Sequence, residues 1–306
     1  MRNTYLRELY QLAEKDKNVL ALLADNGVIV FDKYIEKFPK QYLNYGISEC
    51  EMIGAAAGLA AYGKIPFVYT MSTFLVYRGF EFIRDMVCLQ NLNVKIIGTG
   101  AGVAYGGLGP THHPTEEMAV LRALPNLTIF SPASPLDVKN AIKAAYEMNG
   151  PVYIRLAHNN EPEIYGESCN FTAGRGSVLK EGHDITLIGT GSILYDVMEA
   201  AGQLEQENIS ARVINIHTIK PFDRDIVIKA AQETKAIVTV EEHTVIGGLG
   251  SAVAEVIAEE NLAVTFKRFG LPDQFAKGYG THAQVKKING LDKDNIIAVV
   301  KAILMN

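Results

Sequence analysis

A carboxylate, a histidine pair and an aromatic cluster are the residue types in this chain that are placed where they could do chemistry. Glu49 ends the segment NYGISE (44–49) and opens a predicted helix whose continuation, Ile53 to Gly63, is mostly Ala and Gly. So small a surface invites a close-packed neighbour, and a carboxylate at a helix N-terminus is favoured by the helix dipole. In a dry cleft such an acid shares a proton strongly and its pKa can rise towards neutrality, as general acid–base work requires. The plainer alternative is that Glu49 and Glu51 only complement the dipole behind a Ser48 cap.

Further along, G-P-T-H-H-P (109–114) places His112 and His113 at the end of a loop containing Gly98, Gly100, Gly102, Gly106, Gly107 and Gly109. Imidazole titrates near neutrality and suits proton transfer. Adjacent histidines rarely face one ion, and no further ligand follows at i+4, so a metal site is not expected. The glycines let the backbone approach a ligand. They miss the dinucleotide fingerprint, because Val103 stands where the third glycine belongs, and Leu194 does the same after Gly189 and Gly191. With no phosphate-loop lysine either, NAD and ATP are not expected. Phe74, Tyr77 and Phe80 have the spacing of a helical core stripe, yet aromatics also stack on flat heterocycles. Asp25 closes a predicted strand, where a turn or capping role is equally consistent.

In this order and spacing, NYGISE, the AAAGLA helix (55–60), S-T-F (72–74) and G-P-T-H (109–112) resemble the pyrimidine-binding domain of thiamine-diphosphate enzymes of the transketolase family, which includes deoxyxylulose-phosphate synthase. The segments I-N-I-H-T-I-K-P-F-D (214–223), V-E-E-H-T (240–244) and G-G-L-G (247–250) resemble that family's C-terminal domain. The resemblance covers nearly the whole chain. It implies that Glu49 hydrogen-bonds N1′ of the cofactor's aminopyrimidine and favours its imino tautomer, which then takes the thiazolium C2 proton. It further implies that Phe74, with Tyr77 and Phe80, encloses that ring, that Asp25 lies near the thiazolium, and that His112 faces the substrate. His113, His217 and His243 receive no catalytic role; a structural, hydrogen-bonded histidine is expected at each.

Full-length members also carry a G-D-G…N motif for Mg2+ and the diphosphate, and no G-D-G occurs in this sequence. The resemblance therefore implies the C-terminal subunit of a split transketolase, transferring a two-carbon ketol unit from a ketose to an aldose with thiamine diphosphate. Mg2+ would be held mainly by an N-terminal partner subunit. Two copies of this chain would pair through the parallel-sheet domain within a heterotetramer. Alternatives are a deoxyxylulose-phosphate-synthase-like or 2-oxoacid dehydrogenase β-like subunit, and a non-catalytic binding or regulatory subunit. Two departures bear on substrate: Leu108 stands where the family usually has Asp, and His158 falls at the place of a phosphate-binding arginine. Arg155 or Arg78 is the alternative phosphate ligand, and His158 and Arg155 are both expected at the substrate.

The 306 residues suggest two domains of ordinary size, and 48% hydrophobic with 21% charged residues is a soluble globular composition. A net charge of -5 offers no electrostatic reason for nucleic acid or an anionic membrane as partner. Three cysteines, Cys50, Cys88 and Cys169, show no paired spacing; Cys50 and Cys88 read as small core residues in a reducing compartment. Residues 1–18 read as a charged amphipathic helix without a signal peptide's apolar centre, and no apolar run reaches the ~18 residues of a membrane span. A cytoplasmic protein is expected.

The elements that must position these residues alternate. Helices are predicted over 5–15, 30–38, 49–62, 77–89, 115–123 and 135–148, and strands over 19–25, 66–70, 94–99, 127–130 and 152–156. Short apolar strands alternating with helices argue for α/β domains, each a parallel sheet covered on both faces. Periodicity stops after His158, so the expected division is a pyrimidine-binding domain over 1–160, a linker over 161–180 and a smaller α/β C-terminal domain over 181–306. In the latter, strands are predicted over 185–189, 211–216, 236–240 and 264–268, with helices over 193–205, 223–232, 250–259 and 294–304.

Overall fold

Apolar runs of about five residues, buried on both faces, become the strands of two sheets. The computed structural model describes residues 1–158, 161–166 and 171–305. The first half contributes β1 (Val19–Leu23), β2 (Tyr42–Asn44), β3 (Ile65–Met71), β4 (Lys95–Thr99), β5 (Thr128–Phe130) and β6 (Val152–Leu156). The second contributes β7 (Ser177–Lys180), β8 (Ile185–Thr190), β9 (Ala211–Asn215), β10 (Thr218–Lys220), β11 (Ala236–Thr244) and β12 (Thr265–Leu271).

The first sheet has seven strands in the order β10-β5-β6-β4-β3-β1-β2, and the second has five in the order β12-β11-β8-β9-β7. All pairings are parallel except β10 with β5 and β7 with β9. Helices cover both faces, as parallel strands without a solvated side require. The fold is thus the α/β pair of sheets expected from the alternation.

Several elements differ from the sequence expectations. The edge strands β2, β7 and β10 and the helix His282–Ile288 were not anticipated. Each is a three- to seven-residue element, too short for periodicity to declare. β7 falls inside the stretch read as a linker. The single helix expected over 77–89 is broken into π-helical turns, Phe74–Arg78 and Ile83–Cys88, around the short helix Phe80–Phe82. β1 stops at Leu23, before Asp25, whose backbone is left-handed at φ 51°. Cys88 is buried, but Cys50 is only half-buried and bonds from its thiol to the Arg78 carbonyl. Cys169 lies outside the described residues.

The two sheets share one interior. Ile188, Ile214, Ile216 and Ile219 from the second half belong to the same buried cluster as Ile53, Val68 and Ile96 from the first. β10 carries this union further by adding a strand to the first sheet. Lys220 at its end donates to the carbonyls of Arg122 and Leu124, at 3.0 and 2.5 Å, capping the C-terminus of the helix Glu117–Arg122. No helix among the described residues is long and apolar enough to cross a membrane.

Candidate active site

β1 and β2 end side by side, and the chain leaving β2 turns directly into the helix Glu49–Ala61. Asn44 fixes that turn. Its amide oxygen accepts from the Asp25 and Gly46 N–H groups at 3.1 and 3.0 Å, and its nitrogen donates to the Asp25 carboxylate at 3.1 Å. Asp25 is thereby held beside the turn and remains exposed. Glu49 enters the first turn of the helix behind Ser48 and is 1% exposed.

A buried carboxylate needs a partner, and Glu49 finds one in Arg78. The guanidinium donates to Glu49 Oε2 at 2.5 Å while its side chain stays 49% exposed. The same guanidinium lies 5.1 Å over the Phe74 ring. The wide π turn from Phe74 to Arg78 brings both residues to the mouth of the Glu49 helix, a frequent use of π bulges. Phe74 in turn meets the His112 ring edge-on at 5.1 Å. Glu49, Arg78, Phe74 and His112 therefore form one continuous row, drawn from three separate parts of the sequence.

The other expected residues lie around this row or apart from it. Tyr77 donates to the Glu116 carboxylate at 2.7 Å and accepts from the Glu116 N–H at 3.2 Å. Phe80 is half-buried against the core. His158 packs its ring on Tyr105 at 5.0 Å; burial, then the charge of Arg2, holds its pKa below the usual value. His113 is buried, with Nε2 3.3 Å from the Tyr105 carbonyl. Leu108 is 48% exposed. His217 stacks on Phe171 and lies 3.0 Å from the Thr218 hydroxyl, while His243 is buried with Nδ1 2.7 Å from the Thr244 carbonyl. Burial takes their pKa values down to about 4 and about 3, so both are neutral at pH 7.

Arg155 is taken up by the domain interface. It is 2% exposed, pairs through Nε with Glu117, and donates from Nη2 to the Glu242 carbonyl at 2.9 Å. A buried pair of this kind has a testable energetic signature: removing one member strands the other's charge, while removing both is often neutral. Glu117→Met should cost about 3–5 kcal/mol of stability. Adding Arg155→Met to that variant should recover most of the loss. Urea denaturation of the full chain measures both, and equal stability of the single variant and the native chain would contradict the pairing.

Sequence reasoning missed Arg78 as the partner of Glu49, although its place four residues after Phe74 is a one-turn spacing that could have linked the two. Nothing in the local sequence indicated that Tyr105 would gather His113 and His158.

Comparison with known proteins bears on what this arrangement does. The family described as transketolase, pyrimidine binding domain, matches residues 1–162, and transketolase, C-terminal domain, matches residues 174–296. The chain is 38% identical over 86% of its length to one of the subunits of the apulose-4-phosphate transketolase of Actinobacillus succinogenes, covering 85% of that protein. It is 36% identical over 97% of its length to the 6-deoxy-6-sulfo-D-fructose transketolase subunit of a Clostridium species, covering 92% of it. A solved structure described as a split gene transketolase, inactive beta4 tetramer, superposes with a TM-score of 0.91 at 39% identity, over 99% of this chain and 98% of that one.

Proposed function

The chain belongs to the transketolase family, and from that premise we propose that it is the pyrimidine-binding and C-terminal subunit of a two-subunit, thiamine-diphosphate-dependent enzyme that moves a two-carbon ketol unit from a ketose to an aldose. The observation that carries this reading is the row of Glu49, Arg78, Phe74 and His112. A buried carboxylate beside a half-buried aromatic ring, both covered by one half-exposed arginine, fits one half of the cofactor, the aminopyrimidine. When bound, thiamine diphosphate supplies the carbon nucleophile and electron sink that ketol transfer needs.

The chain's own residues would then act as follows. Glu49 holds a proton at the pyrimidine N1′, where a desolvated carboxylate is most effective. Phe74 gives the ring a face to stack on, Tyr77 and Phe80 help to enclose it, and Asp25 stands at the edge of the site. Arg78 yields its place on Glu49 as the ring enters. His112 hydrogen-bonds substrate oxygens or moves a proton there. Mg2+ and the diphosphate are assigned to an N-terminal partner subunit. Exposed apolar residues of the first domain, among them Ile47 (78%), Tyr62 (90%) and Leu89 (74%), support burial against the partner or a second copy. The linker reading is narrowed to the residues before Ser177, where β7 begins.

Within this reading the donor or acceptor differs from the phosphorylated sugars of ordinary transketolase. Leu108 removes an acceptor for a substrate hydroxyl, a loss of about 1–3 kcal/mol for a hydroxyl left unpaired. His158 replaces a planar, permanently charged fork, and its lowered pKa leaves it neutral at pH 7. Arg155, already engaged by Glu117 and the Glu242 carbonyl, is left out of the phosphate assignment. The two relatives named for apulose 4-phosphate and a sulfonated deoxyfructose support a substrate of unusual form.

A panel of ketose donors and aldose acceptors, run on the assembled enzyme, tests the proposal. Deoxygenated or branched sugars should be preferred. For phosphorylated donors KM should rise as pH climbs through the His158 pKa, below the usual 6.5, because only the protonated ring attracts the anion. Ordinary turnover of xylulose 5-phosphate and ribose 5-phosphate, with KM unchanged by His158→Ala, would refute it.

A further inference from the structure

The loop that carries His112 is held from the other domain. Val103, at its centre, belongs to the same buried cluster as Leu187, Leu271 and Val285 of the second domain. Its N–H donates to Glu242 Oε1 at 2.6 Å. The backbone reaches this carboxylate only because Gly102 has no side chain: at φ 59°, a Cβ there would lie 2.3 Å from the same oxygen. His282 Nε2 lies 2.8 and 2.9 Å from the two Glu242 oxygens, closing over them. The Gly280 N–H donates to the Gly106 carbonyl at 3.2 Å. Tyr279 lies against Gly109, which leads into the turn Pro110–His112.

We propose that the Glu242–His282 pair positions His112, by anchoring the glycine loop at Val103 while His282 is protonated and loosening it when His282 is neutral. The inference rests on the reading of His112 as a substrate-facing residue, and deepens it. Glu242 is 1% exposed, so its charge depends on the groups around it. Facing His282 are Glu242, Lys286 one turn along (itself bound to Asp196), Glu161, His113 and His158. Burial pushes His282 down, but the charge and hydrogen bond of Glu242 lift it above the usual 6.5. Burial likewise pushes the Glu242 carboxyl up, and the charge and hydrogen bond of His282, with Lys286 and the Val103 N–H, more than offset this, leaving it below the usual 4.5. A raised histidine contributes fully below its unfolded pKa and loses the contribution as pH rises through its folded one; a depressed carboxyl does the reverse on the acid side. The anchor is therefore strongest between about pH 4.5 and 6.5 and weakens in alkali.

Amide hydrogen exchange at Val103 in the full chain, with the intrinsic rate divided out, tests this directly. Protection should fall about tenfold or more from about pH 6 to about pH 9, the scale of losing the imidazolium charge that pairs with the buried carboxylate. His282→Gln and Glu242→Gln should be poorly protected at both pH values, whereas His282→Arg, which cannot lose its charge, should be protected at both. In the assembled enzyme kcat should follow the same pattern with KM little changed. Protection at Val103 that ignores pH, or that survives His282→Gln, would overturn the proposal. If protection responds but kcat does not, the clamp on the loop stands and the substrate-facing role of His112 is refuted.

Discussion

Purified by itself, the chain should catalyse no measurable ketol transfer, and activity should appear only when a second polypeptide carrying a diphosphate- and Mg2+-binding motif is added with thiamine diphosphate and Mg2+. The sequence contains no G-D-G motif for the diphosphate. The structure adds a second reason. In the single chain the Glu49 carboxylate and the face of Phe74 are both occupied by Arg78, so the two groups proposed to receive the aminopyrimidine are satisfied within the chain. Arg78 is half-exposed and can swing outward, but something must offset the loss of its buried partner. A bound ring, fixed by a partner through its diphosphate, would do so. Coupled assays on the chain alone and on mixtures with the partner, with sedimentation to follow assembly towards an α2β2 particle, give the answer. Robust activity of the lone chain would sink the two-subunit reading.

Glu49→Gln should lower kcat of the assembled enzyme by roughly 10² to 10⁴, the range for losing a positioned acid–base group. The substitution keeps the shape of the side chain and removes the charge proposed to share a proton with N1′. Folding should survive, because glutamine can still accept from Arg78 and because Ser48 and the helix backbone are untouched. Circular dichroism of the variant checks that point. Near-normal exchange of the cofactor's C2 proton in the assembled variant would show instead that Glu49 only complements the helix dipole.

How much of this was legible beforehand depends on the reach of the interaction. The alternation of apolar strands and helices declared two α/β units, because burial of a parallel sheet on both faces writes itself into runs of five or six residues. The order of NYGISE, the Ala-rich helix, S-T-F and G-P-T-H was enough to suggest the family, and the family comparison agrees. A carboxylate at residue 49, an aromatic at 74 and a histidine at 112 were all readable as candidates from residue type and local context.

What the linear chain could not disclose was which groups would meet. β10 comes from the second half and extends the first sheet; Arg78 reaches back 29 residues to Glu49; Arg155 closes on Glu117 and the Glu242 carbonyl; and Glu242 reaches Val103 across 139 residues. Local periodicity reports only whether a position faces a core. The identity of a buried charge's partner is set by packing, where each ion taken from water must find a counter-charge or donor among whatever the folded chain brings near. That choice belongs to the tertiary structure. It decided that Arg155 would serve the domain interface, that Arg78 would cover Glu49, and that the second domain would hold the loop bearing His112.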